Sequence, residues 1–185
     1  MRFCIDRTEV PASKWSDSLY GAPQPGCMGD ASGSGPAVCI EHRQAESYCE
    51  RATPGVRKRL PTDPEFLLAA LGTDGRIHPW GNEAVPQGAE IGRNFCPHQD
   101  GPTRDWVCRV ENNTLDVSPY GVIGLSTNGD EMTGTCFQGQ RAEVCVVRGD
   151  FGVGPLLAHG LSERSGAIGT SSALGFRCAI SERLR

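Results

Sequence analysis

The sequence predicts a single α+β domain in which short helices and short antiparallel strands are joined by long loops. One complete short helix is indicated at residues 62–72, and alternating apolar and polar residues indicate a strand at residues 3–10. The 24 glycines and 13 prolines predict many turns, and nine cysteines are typical of a domain stabilised by disulfides. A chain of 185 residues can bury one sizeable core, so we expect one domain over residues 1–185.

The helix at residues 62–72 carries both a start and a stop signal. Glu65 follows Thr62 by three positions, so the Thr62 hydroxyl can accept from the Glu65 amide while the Glu65 carboxylate accepts from the Thr62 amide, as in a capping box. Gly72 stands where a left-handed C-terminal cap is expected. The face expected to meet the core is apolar and consists of Phe66, Leu67, Ala69 and Ala70.

A strand and two helices are predicted before this helix. Residues 3–10 alternate in polarity, as a half-buried strand does. Residues 11–19 predict a helix that begins with a proline and places Trp15 and Leu19 on one face. Residues 41–52 predict another helix, whose inward face carries Ala45, Tyr48 and Cys49.

The chain after residue 72 is predicted to be mostly irregular. A tight turn is expected at residues 73–75, and residues 77–82 are expected to form an extended arm that carries Trp80 back toward the helix. The later segments are an irregular stretch at residues 83–113, a turn and strand at 116–125, a polar segment broken by glycine at 127–134, a hairpin between Cys136 and Cys145, and a last strand at 173–180.

The charge and hydropathy of the chain argue against two classes of partner. The formal net charge is −4 and the pI is near 5.6, whereas a nucleic-acid-binding domain needs a cationic face that displaces counterions. We therefore expect no nucleic-acid partner. No apolar run approaches the roughly 20 residues that a spanning helix needs, so we also expect no membrane span.

The cysteine content indicates an oxidising compartment. No CxxC pair is present that would assign the nine cysteines to a zinc site or an iron–sulfur cluster. Disulfides are therefore favoured, and we expect a secreted or periplasmic protein. Because no signal peptide precedes Phe3, this expectation implies that the sequence is a mature or trimmed form, or that its start is misplaced.

Four blocks of the sequence resemble the sulfatase-modifying-factor family, which includes the formylglycine-generating enzymes. The blocks are FCIDRTEV at residues 3–10, RLPT-x-x-E-F with a short helix and PWGN at residues 59–82, SPYGV at residues 118–122 leading to Asn128 and Glu131, and VRG at residues 147–149 followed by GFRCA at residues 175–179. They stand in the family's order from Phe3 to Ile180. The resemblance implies the C-type-lectin-like fold of that family, with about three short helices.

The resemblance also implies one disulfide, and proximity in the sequence suggests two more. Cys49 and Cys178 fall on the cysteines that the family pairs. The two pairs suggested by proximity are Cys96 with Cys108 and Cys136 with Cys145. One odd thiol then remains among Cys4, Cys27 and Cys39.

Calcium is a candidate cofactor because the resemblance implies two sets of oxygen ligands. In one set, the Glu131 side chain joins backbone groups of Thr127 and Gly129. Gly124 stands where the family usually supplies another side-chain oxygen, so we expect this site to be weak or absent. The second set comprises Asn94, the Phe95 carbonyl and Asp105. The alternative for this set is that the Asn94 and Asp105 side chains form hydrogen bonds with loop amides.

The catalytic members of the family bind copper with two cysteines, and this chain lacks both. In those members a serine ends the RGGS block, and the two cysteines follow three and eight residues after it. The resemblance assigns these three positions to Phe151, Gly154 and His159 of this chain, and no cysteine occurs between Cys145 and Cys178. Cuprous copper prefers soft thiolates, and one imidazole cannot replace two of them. We therefore expect no copper site and no catalytic residues.

Three function classes follow from these observations. The favoured one is a non-catalytic binding module, a pseudoenzyme that recognises a protein, peptide or glycan through its loops. The alternative is a formylglycine-generating oxidase that converts a sulfatase cysteine to formylglycine. The third class is a secreted domain with a structural role. The missing cysteine pair favours the binding module.

Overall fold

The computed structural model describes residues 2–16, 33–83, 109–139, 143–149 and 174–181. This part of the chain contains three helices and six short strands, which confirms the predicted α+β class. In chain order they are β1 (Phe3–Ile5), α1 (Ala12–Ser16), α2 (His42–Arg51), β2 (Lys58–Arg59), α3 (Asp63–Leu71), β3 (Asp130–Gln138), β4 (Glu143–Arg148), β5 (Leu174–Gly175) and β6 (Ala179–Ser181). No helix among these is long and apolar enough to cross a membrane.

The strands form two sheets of three strands each. In one sheet β6 lies between β1 and β2 and is antiparallel to both. In the other, β3 lies between β4 and β5, antiparallel to β4 but parallel to β5. The prediction of one last strand at residues 173–180 is therefore wrong, because the tail contributes β5 to one sheet and β6 to the other. Phe176, Arg177 and Cys178 lie between them.

Helix α3 has the predicted capping box. The Thr62 amide donates to Glu65 Oε2 at 2.8 Å, and the Thr62 side chain accepts from the Glu65 amide. Arg59 on β2 donates to both Glu65 oxygens at 2.7 Å, which ties the start of the helix to the sheet. The helix ends before Gly72 as predicted, but with φ 63° and ψ −148° that residue is outside the left-handed helical conformation.

Helices α1 and α2 pack aromatic rings against a phenylalanine in the tail of the chain. Trp15 of α1 and Tyr48 of α2 each meet the Phe176 ring edge-on, at centroid distances of 5.9 Å and 5.5 Å. Ala45 and Cys49 on the same side of α2 are fully buried, as predicted for its inward face. Cys49 forms the predicted disulfide with Cys178, which fixes α2 to the segment before β6.

The β3–β4 hairpin carries the second predicted disulfide. Cys136 and Cys145 face one another across the antiparallel pair and are bonded. β3 begins at Asp130 and continues through Gly134, so regular structure replaces much of the glycine-broken segment expected at residues 127–134. The predicted Cys96–Cys108 pair lies outside the described residues. Of the remaining cysteines in the described part, Cys4 is free and Cys39 is disulfide-bonded.

The strand expected at residues 3–10 and the arm expected at residues 77–82 also differ from the structure. β1 ends at Ile5 instead of residue 10, although the Asp6 and Val10 amides still donate to carbonyls of the tail. Residues 77–82 form a turn, not an extended arm, because His78 and Gly81 exchange backbone hydrogen bonds of 3.0 Å and 3.1 Å. Trp80 stacks on His78 with the ring centroids 4.7 Å apart.

Candidate functional site

A buried group of charged and polar side chains lies under the loop that precedes β3. Arg177 is its centre and is fully buried. Its guanidinium donates to both carboxylate oxygens of Glu131, from Nε at 2.7 Å and from Nη2 at 2.6 Å. It also donates to the backbone carbonyls of Arg7 at 3.2 Å and Ile123 at 3.0 Å. Arg177 therefore joins the segment that follows β1, strand β3 and the loop through hydrogen bonds made in the interior.

Asp116 holds the loop that contains Thr127. Its Oδ2 accepts from the amides of Ser126 and Thr127 at 2.7 Å and 2.8 Å, and from the Thr127 hydroxyl at 3.0 Å. Asn113 donates to the same hydroxyl at 2.6 Å. Burial raises the pKa of Asp116, and these hydrogen bonds oppose that shift. The loop conformation thus depends on one fully buried carboxyl group.

Glu9 is a second buried carboxyl group in this cluster. Its Oε2 accepts from the side-chain amide of Asn128 at 2.5 Å. The backbone approaches closely at Gly175, where a Cβ atom would come within 2.8 Å of Glu9 Oε1. Burial raises the pKa of Glu9 well above its ordinary range, and the charge of Glu131 adds to the effect. A proton on Glu9 therefore reduces the excess of negative charge around Arg177.

Several oxygens in this cluster have no hydrogen-bond partner among the described residues. They are Glu9 Oε1, Asn113 Oδ1, Asp116 Oδ1 and Ser126 Oγ. Glu9, Asp116 and Glu131 supply three carboxyl groups against the guanidinium of Arg177, and all four residues are buried. Oxygens of this kind suit protons and hard cations.

Of the predicted calcium set, Thr127 and Gly129 lie on the loop before β3 and Glu131 lies on β3 within this cluster, and all three residues are buried. The fit to calcium is poor at Glu131, because both of its oxygens accept hydrogen bonds from Arg177. Calcium would have to share a carboxylate whose charge the guanidinium already balances. The other predicted set, Asn94, Phe95 and Asp105, lies outside the described residues, as do Phe151, Gly154 and His159.

A surface cavity of about 620 Å³ lies beside β1 and α3. Its wall combines the ring of Tyr120, which is 60% exposed, with the free thiol of Cys4. Arg2 contributes a positive charge. The apolar part of the lining consists of Phe3, Ile5, Leu68, Ala69 and Val122. This cavity can take an apolar group together with an anionic one.

The sequence analysis did not identify Glu9, Asp116 or Arg177 as site residues. A signal for Arg177 was present, since it is the one charged residue in the otherwise apolar run LGFRCAI at residues 174–180. A cation in such a run must find a buried anion or reach the surface. Asp116 had no comparable signal. It lies between Leu115 and Val117, and a single acidic residue between two apolar ones is equally common in exposed turns.

Comparison with known proteins places this structure in a family. The chain is 29% identical over 163 residues to "Inactive C-alpha-formylglycine-generating enzyme 2" of Bos taurus, covering 78% of this chain and 50% of that protein. For the Mus musculus protein of the same name the values are 28% over 165 residues, 79% and 49%. The chain therefore spans about half the length of the curated relatives it matches.

Two solved structures share the fold. One is titled "Structure of PvdO from Pseudomonas aeruginosa", with a TM-score of 0.65 at 18% identity over 97% of this chain and 80% of that one. The other is CarF, with a TM-score of 0.68 at 16% identity over 98% of this chain and 87% of that one. The family model for the sulfatase-modifying factor enzyme 1-like domain matches residues 2–182. The chain therefore belongs to the sulfatase-modifying factor family.

Proposed function

We propose that this chain is a non-catalytic sulfatase-modifying-factor-like domain of a secreted or periplasmic protein, and that it works as a binding module. The observation that carries the proposal is the absence of any cysteine between Cys145 and Cys178. The family's copper-binding cysteine pair belongs in that interval, at the places occupied by Gly154 and His159. Relatives named as inactive formylglycine-generating enzymes support the same conclusion.

As bonded in this structure, the cysteines in the described part do not offer a substitute copper pair. Cys49 and Cys178 are bonded to one another, and both are fully buried. Cys136 and Cys145 are bonded across the hairpin. Cys4 is the one free cysteine that the structure describes. A single thiol cannot supply the two thiolates that the copper chemistry of the family requires.

Of the three ligand classes, we favour a peptide, bound at the surface cavity beside β1 and α3. Ile5, Leu68 and Val122 offer apolar contact for one side chain, and Tyr120 adds an exposed aromatic ring. Exposed aromatic residues beside an apolar pocket are typical anchors of peptide recognition. Arg2 supplies a charge that attracts a carboxylate. The ligand class is thus a short peptide with an apolar and an acidic side chain.

The first experiment tests the absence of catalysis. Purified protein loaded with copper is incubated with a sulfatase-motif peptide, and mass spectrometry follows conversion of the peptide cysteine to an aldehyde. We expect no conversion above a blank that contains copper without protein. Turnover above that blank would overturn the proposal and establish the alternative, a formylglycine-generating oxidase.

The second experiment tests the binding surface. Peptides are selected from a random library on the purified chain, and their affinity is then measured by calorimetry for the wild type and for variants. Leu68→Arg should abolish binding because it fills the apolar wall with a charged side chain, and alkylation of Cys4 should also block the cavity. Phe137→Ala is the matched control, since Phe137 is 43% exposed on β3 and does not line this cavity. Selected peptides that bind Leu68→Arg as tightly as the wild type would refute this location.

A further inference from the structure

Three side chains that are suited to a metal ion lie together between helix α2 and the β3–β4 hairpin. They are His42, the first residue of α2, and the disulfide-bonded Cys136 and Cys145. One ligand atom from each lies within 4.8 Å of the other two. The closest approach of the ring is from His42 Nε2 to Cys136 Sγ, at 3.8 Å. The group is separate from the buried polar cluster around Arg177 and from the surface cavity.

The hairpin geometry brings the two sulfurs to this place. Cys136 and Cys145 are direct partners in the antiparallel pairing, with their Cα atoms 4.0 Å apart. The register shifts between Met132 and Cys136. Within this irregular stretch the Thr133 carbonyl lies 2.7 Å from His42 Nε2 and fixes the imidazole beside the disulfide. Bulges of this kind often redirect side chains next to functional sites.

The other nitrogen of His42 faces a carboxylate. Nδ1 lies 3.7 Å from Glu46 Oε2, one helical turn along α2. Metal-binding histidines usually donate their second ring N–H to a carboxylate or carbonyl, which holds the ring in the tautomer that leaves the first nitrogen free for the metal. In this structure the Thr133 carbonyl accepts from Nε2–H. When the ring proton moves to Nδ1, Glu46 can accept it after a small side-chain movement, and Nε2 is then free to bind the metal ion.

We infer that this group is a redox-gated site for a thiophilic divalent cation such as zinc. In the oxidised protein the two sulfurs are bonded to one another and the site is closed. Reduction converts them to two thiols, and Cys136, Cys145 and His42 then form a Cys₂His ligand set. Three protein ligands of this type leave a fourth zinc position for water.

The reduction requires a dithiol as co-reactant. A thiolate of that dithiol attacks one sulfur of the Cys136–Cys145 bond and forms a mixed disulfide, and its second thiolate then displaces the protein cysteine. The dithiol leaves as a cyclic disulfide, and both electrons and two protons pass to the protein. Zinc binding then releases the two thiol protons to solvent. Rotation about the Cα–Cβ bonds can separate the sulfurs to the roughly 3.7 Å that two zinc–sulfur bonds require.

Accessibility should make this disulfide react before Cys49–Cys178. Cys136 is half-buried, so a reductant can reach its sulfur, whereas Cys145 and His42 are buried and shield the site from bulk water. Cys49 and Cys178 are both 0% exposed. Exchange depends on access of the attacking thiolate, so limited reduction should open the hairpin disulfide selectively.

The test uses the full chain with Cys4→Ser, which removes the free thiol that could bind zinc elsewhere. The protein is reduced with limiting dithiol, and alkylation with peptide mapping identifies which cysteines have opened. Zinc binding is then measured by competition with a coloured chelator. We expect one zinc ion per chain when Cys136 and Cys145 are reduced and none when they are oxidised. Cobalt in place of zinc should show thiolate-to-metal charge-transfer absorption in the reduced protein alone.

Variants separate this site from other zinc ligands. Cys136→Ser with Cys145→Ser should abolish binding, and His42→Ala should weaken it more than tenfold. Glu46→Gln should weaken it about tenfold, as expected for an outer-shell partner. Glu50→Gln is the matched control, since Glu50 is exposed on the same helix, and it should leave the affinity unchanged. Zinc binding that survives the double cysteine variant would overturn the inference, and so would absence of binding in protein whose mapping shows free Cys136 and Cys145.

Discussion

Arg177 and Glu131 form a bidentate ion pair that joins the two sheets inside the protein. Arg177 lies between β5 and β6, and Glu131 lies on β3, which belongs to the other sheet from β6. Their side chains are 0% and 1% exposed. Charges removed from water in this way are tolerated only when they are paired and hydrogen-bonded. The pair therefore fixes the position at which the tail of the chain passes from one sheet to the other.

Replacing Arg177 should destabilise the fold strongly. Arg177→Met leaves the Glu131 carboxylate buried without its partner, and loss of one member of a buried pair typically costs about 3–5 kcal/mol. Denaturant unfolding measures the change. The double variant Arg177→Met with Glu131→Leu should recover part of the loss because it removes the stranded charge. Arg76→Met is the control, since it removes a pair with Asp74, whose side chain is 57% exposed, and a hydrogen bond to the Pro79 carbonyl, and should cost much less. An equal effect of the two single variants would contradict the assignment.

The two described disulfides should differ in their contribution to stability. Cys49–Cys178 closes a sequence separation of 129, whereas Cys136–Cys145 closes one of 9. In the chain-entropy model these separations correspond to about 4.9 and about 2.6 kcal/mol. We therefore expect Cys49→Ala with Cys178→Ala to lower the free energy of unfolding more than Cys136→Ala with Cys145→Ala. A reversed order in denaturant unfolding would show that packing outweighs the chain entropy.

Local signals in the sequence were sufficient for the helix α3. The Thr62 and Glu65 capping box involves groups three residues apart, so the local chain alone determines its geometry. The inward face of α2 was equally predictable, because helical spacing places Ala45 and Cys49 on one side. Signals of this kind lie within one helix, so they can be recognised without knowledge of the rest of the fold.

Long-range pairing explains what the sequence could not reveal. Arg177 and Glu131 are 46 residues apart, and no local pattern specifies which carboxylate accepts a buried guanidinium. The tail was predicted as one strand because its residues are apolar, yet β5 pairs with β3 and β6 pairs with β1 and β2. Strand propensity depends on the available partners, and these partners lie far away in the sequence.

Calcium should stabilise the protein if Asn94, Phe95 and Asp105 bind it as the family resemblance implies. A ligand that binds only the folded state at 100 times its Kd adds about 2.7 kcal/mol. We expect the melting temperature to rise in millimolar calcium relative to a chelator, and Asp105→Ala to remove the rise. Magnesium serves as the ion control because it prefers a smaller octahedral site. An unchanged melting curve in calcium would remove this prediction.

Glu9 should make the protein less stable as the pH rises. Burial, followed by the charge of Glu131, raises the pKa of Glu9 above its ordinary value, so the folded protein retains a proton that the unfolded chain releases. The Glu9 contribution is thus complete below the ordinary glutamate pKa of about 4.3 and is lost as the pH rises through the folded pKa, by at most about 1.4 kcal/mol per pH unit.

Glu9→Gln keeps this position neutral and can still accept from Asn128. The stability of the variant relative to the wild type should therefore increase with pH. Asp116 and Glu131, whose pKa values burial also raises, remain in both proteins. Because the charge of Glu131 acts on Glu9, the difference reports the titration of Glu9 together with its interaction with Glu131. Parallel pH–stability curves from denaturant unfolding would show that Glu9 titrates alike in the folded and unfolded chain.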